Sequence, residues 1–224
     1  MLAERALQYV KAGDVVGLGS GRAAARFMVA LAGAVRGGLA IRGVPTSLAT
    51  AKLAEELKIP LVDFDQVSQI DVTVDGADEV DPRLNLIKGL GGALVREKIV
   101  AAASARIIIL VGEEKLVPTL GSRGILPVEI VPFGVPLCRR RLHDLDCIAT
   151  IRITQGNPYR SDNGNLILDC QIKPIDDPRA LEQAILSIPG VVGTGLFLDM
   201  ADTVLIERGE SIEAMDGVRS NRSS

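Results

Sequence analysis

Aromatic residues are scarce in this chain: they make up 3% of it, and tryptophan is absent. A stacking platform for single-stranded nucleic acid needs aromatic rings, so that class of function is not expected. Histidine occurs once, at His143, which excludes a histidine-rich metal site. Beside Arg139-Arg140-Arg141, it reads as part of a solvated helix face. The three cysteines, Cys138, Cys147 and Cys170, show no CxxC spacing and read as buried thiols rather than a disulfide framework or zinc site. No apolar run approaches the length of a bilayer span, and the opening MLAERALQYV does not follow the pattern of a secretory signal. A cytoplasmic protein without a membrane partner is expected. Excess charge is lacking as well: a net charge of -3 argues against a protein that coats nucleic acid or an acidic bilayer.

What is present is the composition of an ordinary globular protein, 47% hydrophobic and 24% charged over 224 residues, long enough for one large or two modest domains. Residues 3–11 have helical apolar spacing. Short buried strands are expected at 15–18, 41–44, 61–64, 70–74 and 106–111, alternating with helices at 22–31, 47–57 and 93–103. That alternation is the pattern of a doubly wound, mostly parallel α/β sheet, Rossmann-like in kind. From about residue 127 the pattern changes. Strands at 128–131, 148–153 and 166–172, with helices near 136–145 and from Pro178, make a smaller α+β domain with the ferredoxin-like order of elements. Asn163-Gly164 is a hairpin signal between two of those strands. A final strand pair is expected at 192–198 and 203–207, then a frayed polar tail from residue 211. The expected domains are 1–126 with 201–224, carrying the chemistry, and 127–200, a lid or an oligomer interface.

The chemistry concentrates in VTVDGADEVDPRLNLIKGLGGALVREK, residues 72–98. A β-branched strand ends in Asp75-Gly76-Ala77-Asp78, at the carboxyl end where open α/β sheets bind ligands. Lys88-Gly89-Leu90-Gly91-Gly92 then feeds a helix, whose first N–H groups suit an anion. A second glycine loop, Gly17-Leu18-Gly19-Ser20-Gly21, follows the first strand. It lacks the full dinucleotide fingerprint, because Ala24 stands at the third glycine position. Asp75, Asp78, Lys88 and Glu97, if convergent, could shuttle protons and hold a developing oxyanion without a metal. Equally, the aspartates could only shape a turn and Glu97 could be a solvated helix charge. A cation site from Asp75, Asp78, Glu79 and Asp81 has the wrong spacing for an EF-hand loop.

These motifs closely resemble the ribose-5-phosphate isomerase A family. The resemblance rests on Asp75 to Glu79, Lys88 to Lys98 and the loop at 17–21. It continues through Gly43-Val44-Pro45-Thr46-Ser47, Leu126-Pro127-Val128-Glu129, Ser161-Asp162-Asn163-Gly164-Asn165 and Ile188-Pro189-Gly190-Val191-Val192. It implies an aldose-ketose isomerase of the non-oxidative pentose phosphate pathway, interconverting ribose 5-phosphate and ribulose 5-phosphate through a cis-enediolate. No cofactor and no metal are implied, and the partners are the pentose 5-phosphate and further copies of the chain, as a dimer or tetramer. Glu97 would be the base, Asp75 would assist ring opening, Lys88 would stabilise the enediolate and Asp78 would order the sugar hydroxyls. Gly76, Ala77, Gly89, Leu90 and Gly91 would lend backbone, while Ser20, Gly21, Arg22, Ala23 and Lys115 would hold the phosphate. Three departures stand out: Arg22 and Ala23 replace hydroxyl residues, Gly112 replaces an aspartate, and an early lysine has no counterpart. The alternative is a sugar-phosphate sensor on the same fold, though only about fourteen residues precede the first strand, too few for a DNA-binding domain.

Overall fold

The β-branched runs of the first half become strands of a six-stranded sheet in the computed structural model, which describes residues 1–217. In spatial order they are Arg42–Pro45, Val15–Leu18, Val72–Gly76, Ile107–Gly112, Thr203–Arg208 and Ser211–Asp216. The first five run parallel, and the last is an antiparallel edge. Both faces are covered, which is why the strands read as unbroken apolar runs. On one face Val16, Leu18, Val74 and Leu110 pack with Phe27, Met28 and Leu31 of the helix Arg22–Arg36. On the other, Val15, Val44 and Ile70 meet Val100 of the helix Leu94–Ala102. Each fully buried Phe, Met or Leu side chain here contributes about 1.5–3 kcal/mol. These elements form the first of two compact units, built, among the described residues, from 1–77, 96–115 and 199–217.

The second unit, residues 78–95 and 116–198, contains a four-stranded antiparallel sheet. Its order is Val191–Thr194, Ile125–Ile130, Leu166–Gln171, Ile148–Ile151. Numbered along the chain, that is 4-1-3-2 with helices Val135–His143 and Pro178–Leu186 in the crossovers, the ferredoxin-like arrangement. Alternate residues Leu126, Val128, Ile130, Leu168 and Cys170 share one core with Cys138, Leu142 and Ile185 of the helices. Asp177 caps the second helix by accepting from the N–H groups of Arg179 and Ala180, at 3.1 and 3.0 Å.

Several expectations are revised. The strand expected at 61–64 shrinks to one parallel bridge, Gly43 to Leu61, followed by a 3-10 turn at Phe64–Gln66. Pro60 has no N–H to offer a ladder, and Asp63 and Asp65 favour turns. Asn163-Gly164 does form a tight turn, but the two strands it was to join are separated by a further small hairpin, Ile153–Thr154 with Asn157–Pro158. The expected final strand pair is no pair. Val191–Thr194 joins Ile125–Ile130, Leu196–Phe197 joins Leu86–Ile87, and Thr203–Arg208 enters the large sheet. Ser211–Asp216 is a strand rather than frayed chain, and the tail beyond 217 lies outside the described residues.

The compact units also divide the chain elsewhere than at 127 and 201. Residues 78–95 and 116–126 belong with the ferredoxin-like sheet, through Leu86–Ile87 pairing with Leu196–Phe197 and the Val117 N–H donating to Val80 at 2.9 Å. Among the described residues no helix is long and apolar enough to cross a membrane.

Candidate active site

The large sheet reverses its strand order between Val15–Leu18 and Val72–Gly76, so a crevice opens at their carboxyl ends. Gly19 and Asp75 meet there. A β-carbon on Gly19 would overlap the Asp75 side chain, and that close approach requires glycine. The Asp75 carboxylate is buried and accepts from the N–H groups of Ser20 at 3.1 Å and Gly76 at 2.7 Å.

Gly21 then turns the chain at φ 89° into the helix Arg22–Arg36, which has no side-chain cap. The first-turn N–H groups of Arg22 and Ala23 therefore sit at the positive end of a helix dipole. The Ser20 hydroxyl lies within 2.9 Å of Thr46 Oγ1 and of Ser47 Oγ, and 3.1 Å from Thr50 Oγ1. Thr46 and Thr50 in turn donate to the Leu18 and Gly19 carbonyls, at 2.9 and 3.1 Å. This hydroxyl cluster fixes the loop from behind. Sequence reading placed Thr46 and Ser47 only in a stretch that resembles the family; Ser47 also caps the helix Leu48–Glu56, accepting from the Thr50 N–H at 3.0 Å, and the run TSxxT after a strand was the signal for more.

Glu97 lies in the first turn of Leu94–Ala102 and is 5% exposed. The far end of that segment, Ser104, bridges to Ile70 before the strand Val72–Gly76. The helix therefore runs back along the sheet, and its first turn is directed to the carboxyl edge that carries Asp75. Lys115 closes a 3-10 turn after Ile107–Gly112, at the same edge. The Gly112 departure has a partner: the Glu114 carboxylate occupies the space into which a side chain at Gly112 would grow.

The second unit carries the other group of expected residues. Asp78 donates its N–H to the Ile87 carbonyl at 2.8 Å, and Lys88 donates its own to the Gly195 carbonyl at 2.8 Å. The Lys88 side chain is 4% exposed, with Nζ 5.5 Å from the centre of the Phe197 ring. Gly89 bends the backbone at φ 104°, and its carbonyl accepts from the Gly92 N–H at 3.0 Å. The Leu90 N–H donates to Asp78 Oδ2 at 3.1 Å. Asp78 is thereby tied to the glycine loop.

Two acids considered as cation ligands do other work. Glu79 accepts from the N–H groups of Gly121 and Arg123, at 2.6 and 2.7 Å. Asp81 accepts from the N–H groups of Arg83 and Asn85, at 2.8 and 2.9 Å. The three cysteines are buried and free. Sequence reading missed Arg152, Asp169 and Tyr159, which surround the glycine loop within the second unit; a lone arginine at a strand end carries no motif.

Residues 42–211 match the family model described as ribose 5-phosphate isomerase A (phosphoriboisomerase A). The ribose-5-phosphate isomerase A of Roseiflexus castenholzii is 50% identical over 96% of this chain and 93% of its own length. That of Sphingopyxis alaskensis is 48% identical over 94% and 92%. Among solved structures, ribose 5-phosphate isomerase A from Methanocaldococcus jannaschii is 38% identical with a TM-score of 0.92, covering 96% of each chain. A D-ribose-5-phosphate isomerase in complex with phospho-erythronic acid is 40% identical with a TM-score of 0.93, again over 96% of each chain.

Proposed function

Because the chain belongs to the ribose-5-phosphate isomerase A family, and is by that membership an isomerase, we propose that it interconverts D-ribose 5-phosphate and D-ribulose 5-phosphate through a cis-enediolate. Glu97 takes the proton from C2 of the open-chain aldose and returns it to C1. Its burial supports this role, since a carboxylate kept from bulk water can hand its proton back to the sugar instead of losing it to solvent. Asp75, held by two N–H groups, assists ring opening and moves protons between the sugar oxygens. Lys88 stabilises the negative charge of the enediolate; removing one such donor typically costs about 3 kcal/mol of barrier lowering. Asp78 orders the sugar hydroxyls, with backbone from Gly76, Ala77, Gly89, Leu90 and Gly91. The phosphate is held by Ser20, Gly21, the N–H groups of Arg22 and Ala23, and Lys115. The Arg22 guanidinium supplies charge where the family has hydroxyls.

The observation that carries this reading is the burial of three ionisable side chains, Asp75, Lys88 and Glu97, at 3%, 4% and 5% exposure, each inside a motif of the family. Buried charge is costly and is retained where it acts. The route moves only protons, so it calls for no redox cofactor. The working form is a cytoplasmic homodimer or homotetramer, which light scattering on the purified protein checks.

The test is isomerisation of D-ribose 5-phosphate in the presence of EDTA, with Glu97→Gln run beside the native chain. Native turnover at an undiminished rate and a variant slowed by at least about 10³-fold, with substrate still bound, are expected. Binding without turnover in the native chain would instead favour a sensor. A rate lost to EDTA and restored by Mg²⁺ would overturn the metal-free route.

A further inference from the structure

Arg152 follows the strand Ile148–Ile151 and is no part of the glycine loop in sequence, yet its guanidinium is spent on that loop. The side chain is 11% exposed. Nε donates to Asp169 Oδ2 at 2.9 Å and Nη2 to Asp169 Oδ1, a two-pronged pair that fixes the plane of the guanidinium. Nη1 donates to the carbonyls of Gly89 and Leu90, at 2.9 and 3.0 Å. The N–H of the Gly89–Leu90 peptide donates to Asp78 Oδ2 at 3.1 Å. One peptide unit is therefore held at both poles, by a cation on its oxygen and a carboxylate on its N–H.

The need for such a hold is local. Gly89 sits at φ 104°, and glycine alone lets a peptide turn over at low cost. Behind the guanidinium, Tyr159 places its ring centre 5.9 Å away, and its hydroxyl end closes the space above Gly92. Burial, with the carboxylates of Asp162 and Glu129, pushes the Tyr159 phenol up despite the opposing pull of Arg152, so it stays protonated.

We propose that Arg152 is a positioning residue for the isomerisation: through the Gly89–Leu90 peptide it fixes the aim of the Asp78 carboxylate and the course of the chain after Lys88, with Asp169 fixing Arg152 in turn. This rests on the reading above, in which Asp78 and Lys88 act on the sugar. Only a guanidinium serves a carboxylate fork and two carbonyls at once. An ammonium is a point charge and keeps one of these partners at a time.

The experiment measures kcat, KM and melting temperature for Arg152→Lys, Arg152→Ala and Asp169→Asn with D-ribose 5-phosphate. For Arg152→Lys, kcat is expected to fall about 10- to 100-fold, the scale of a misplaced reacting group, with KM changed by less than about threefold because the phosphate is held elsewhere. Asp169→Asn is expected to lower kcat in the same sense by a smaller factor. Ethylguanidinium is expected to restore part of the Arg152→Ala turnover, which a purely structural arginine would not allow. If Arg152→Ala does not fold, the other two variants carry the test. Wild-type kcat in folded Arg152→Lys would overturn the proposal, as would a loss confined to KM or to melting temperature. Glu97→Gln in the same assay separates the two failures. A fast Glu97→Gln sinks the functional reading itself, whereas a silent Glu97→Gln beside a fast Arg152→Lys sinks only the role of Arg152.

Discussion

Two glycines in one loop, Gly89 and Gly91, are expected to respond oppositely to the same added methyl group. At Gly89 the new β-carbon would lie 2.9 Å from Leu94 Cβ and 3.3 Å from Pro127 Cβ, on a backbone at φ 104°. The conformation costs an alanine about 1–3 kcal/mol, and crowding in a packed site adds about 1–3 kcal/mol. Both neighbours are anchored, Leu94 fully buried in a helix and Pro127 in the central pair of a sheet, so little of that strain relaxes. A total near 3 kcal/mol lowers the melting temperature of a chain this size by about 6–12 °C. Gly91 has nothing within 4 Å and is not among the glycines at positive φ. Gly91→Ala also narrows the unfolded ensemble, a gain of up to about 1 kcal/mol. Its melting temperature should stay within about 3 °C of the native value, with its effect falling on KM. Calorimetry of the two variants decides the matter, and melting points within about 2 °C of each other would refute the reasoning.

Lys115→Ala is expected to raise KM for ribose 5-phosphate about tenfold or more with kcat little changed; an equal effect on unphosphorylated ribose would contradict a phosphate role. Burial pushes the thiols of Cys138 and Cys147 up, and that of Cys170 most of all. A disulfide reagent should therefore label the native protein far more slowly than the urea-unfolded chain, and fast native labelling would count against the packing described. By linkage the folded state holds these protons more tightly. Their contribution is full below the ordinary thiol value of 9.0 and is lost as pH rises above it, so the urea midpoint should drop on that side and not on the acid side.

The parallel sheet was legible because its strands are buried on both faces and bounded by glycine loops and caps. Val15–Leu18 begins and ends where the apolar run does, and Ser47 caps the helix Leu48–Glu56 after the strand Arg42–Pro45. Within residues 72–98 the turn after Val72–Gly76 and the glycine loop before Leu94–Ala102 were legible because aspartate and glycine punctuate strands and helices, whereas the burial of Glu97 could not be told from its spacing. The small pairings were not. Glu79–Val80 and Leu86–Ile87 are two residues each, too short for any period, and Leu196–Phe197, the second partner of Leu86–Ile87, is more than a hundred residues on. For the same reason the boundaries of the compact units escaped a reading that looks for changes of pattern along the chain. Arg152 was hidden differently: what it does depends on Asp169 and on two carbonyls, and carbonyls are the same in every residue.

The place of Ile107–Gly112 within its sheet sets a timetable for synthesis. On one side it pairs with Val72–Gly76, already made; on the other it waits for Thr203–Arg208 and for Asp202, which receives the Ile107 N–H from 95 positions further along. At roughly 5–20 residues per second a ribosome needs about 5–20 s to cover that gap. Through that interval the nascent chain displays Ile107, Ile108, Ile109, Leu110 and Val111 with one edge open, the kind of strand that captures other chains. A chaperone that shields this segment early in translation would raise the yield of native protein more than one that acts on the finished chain.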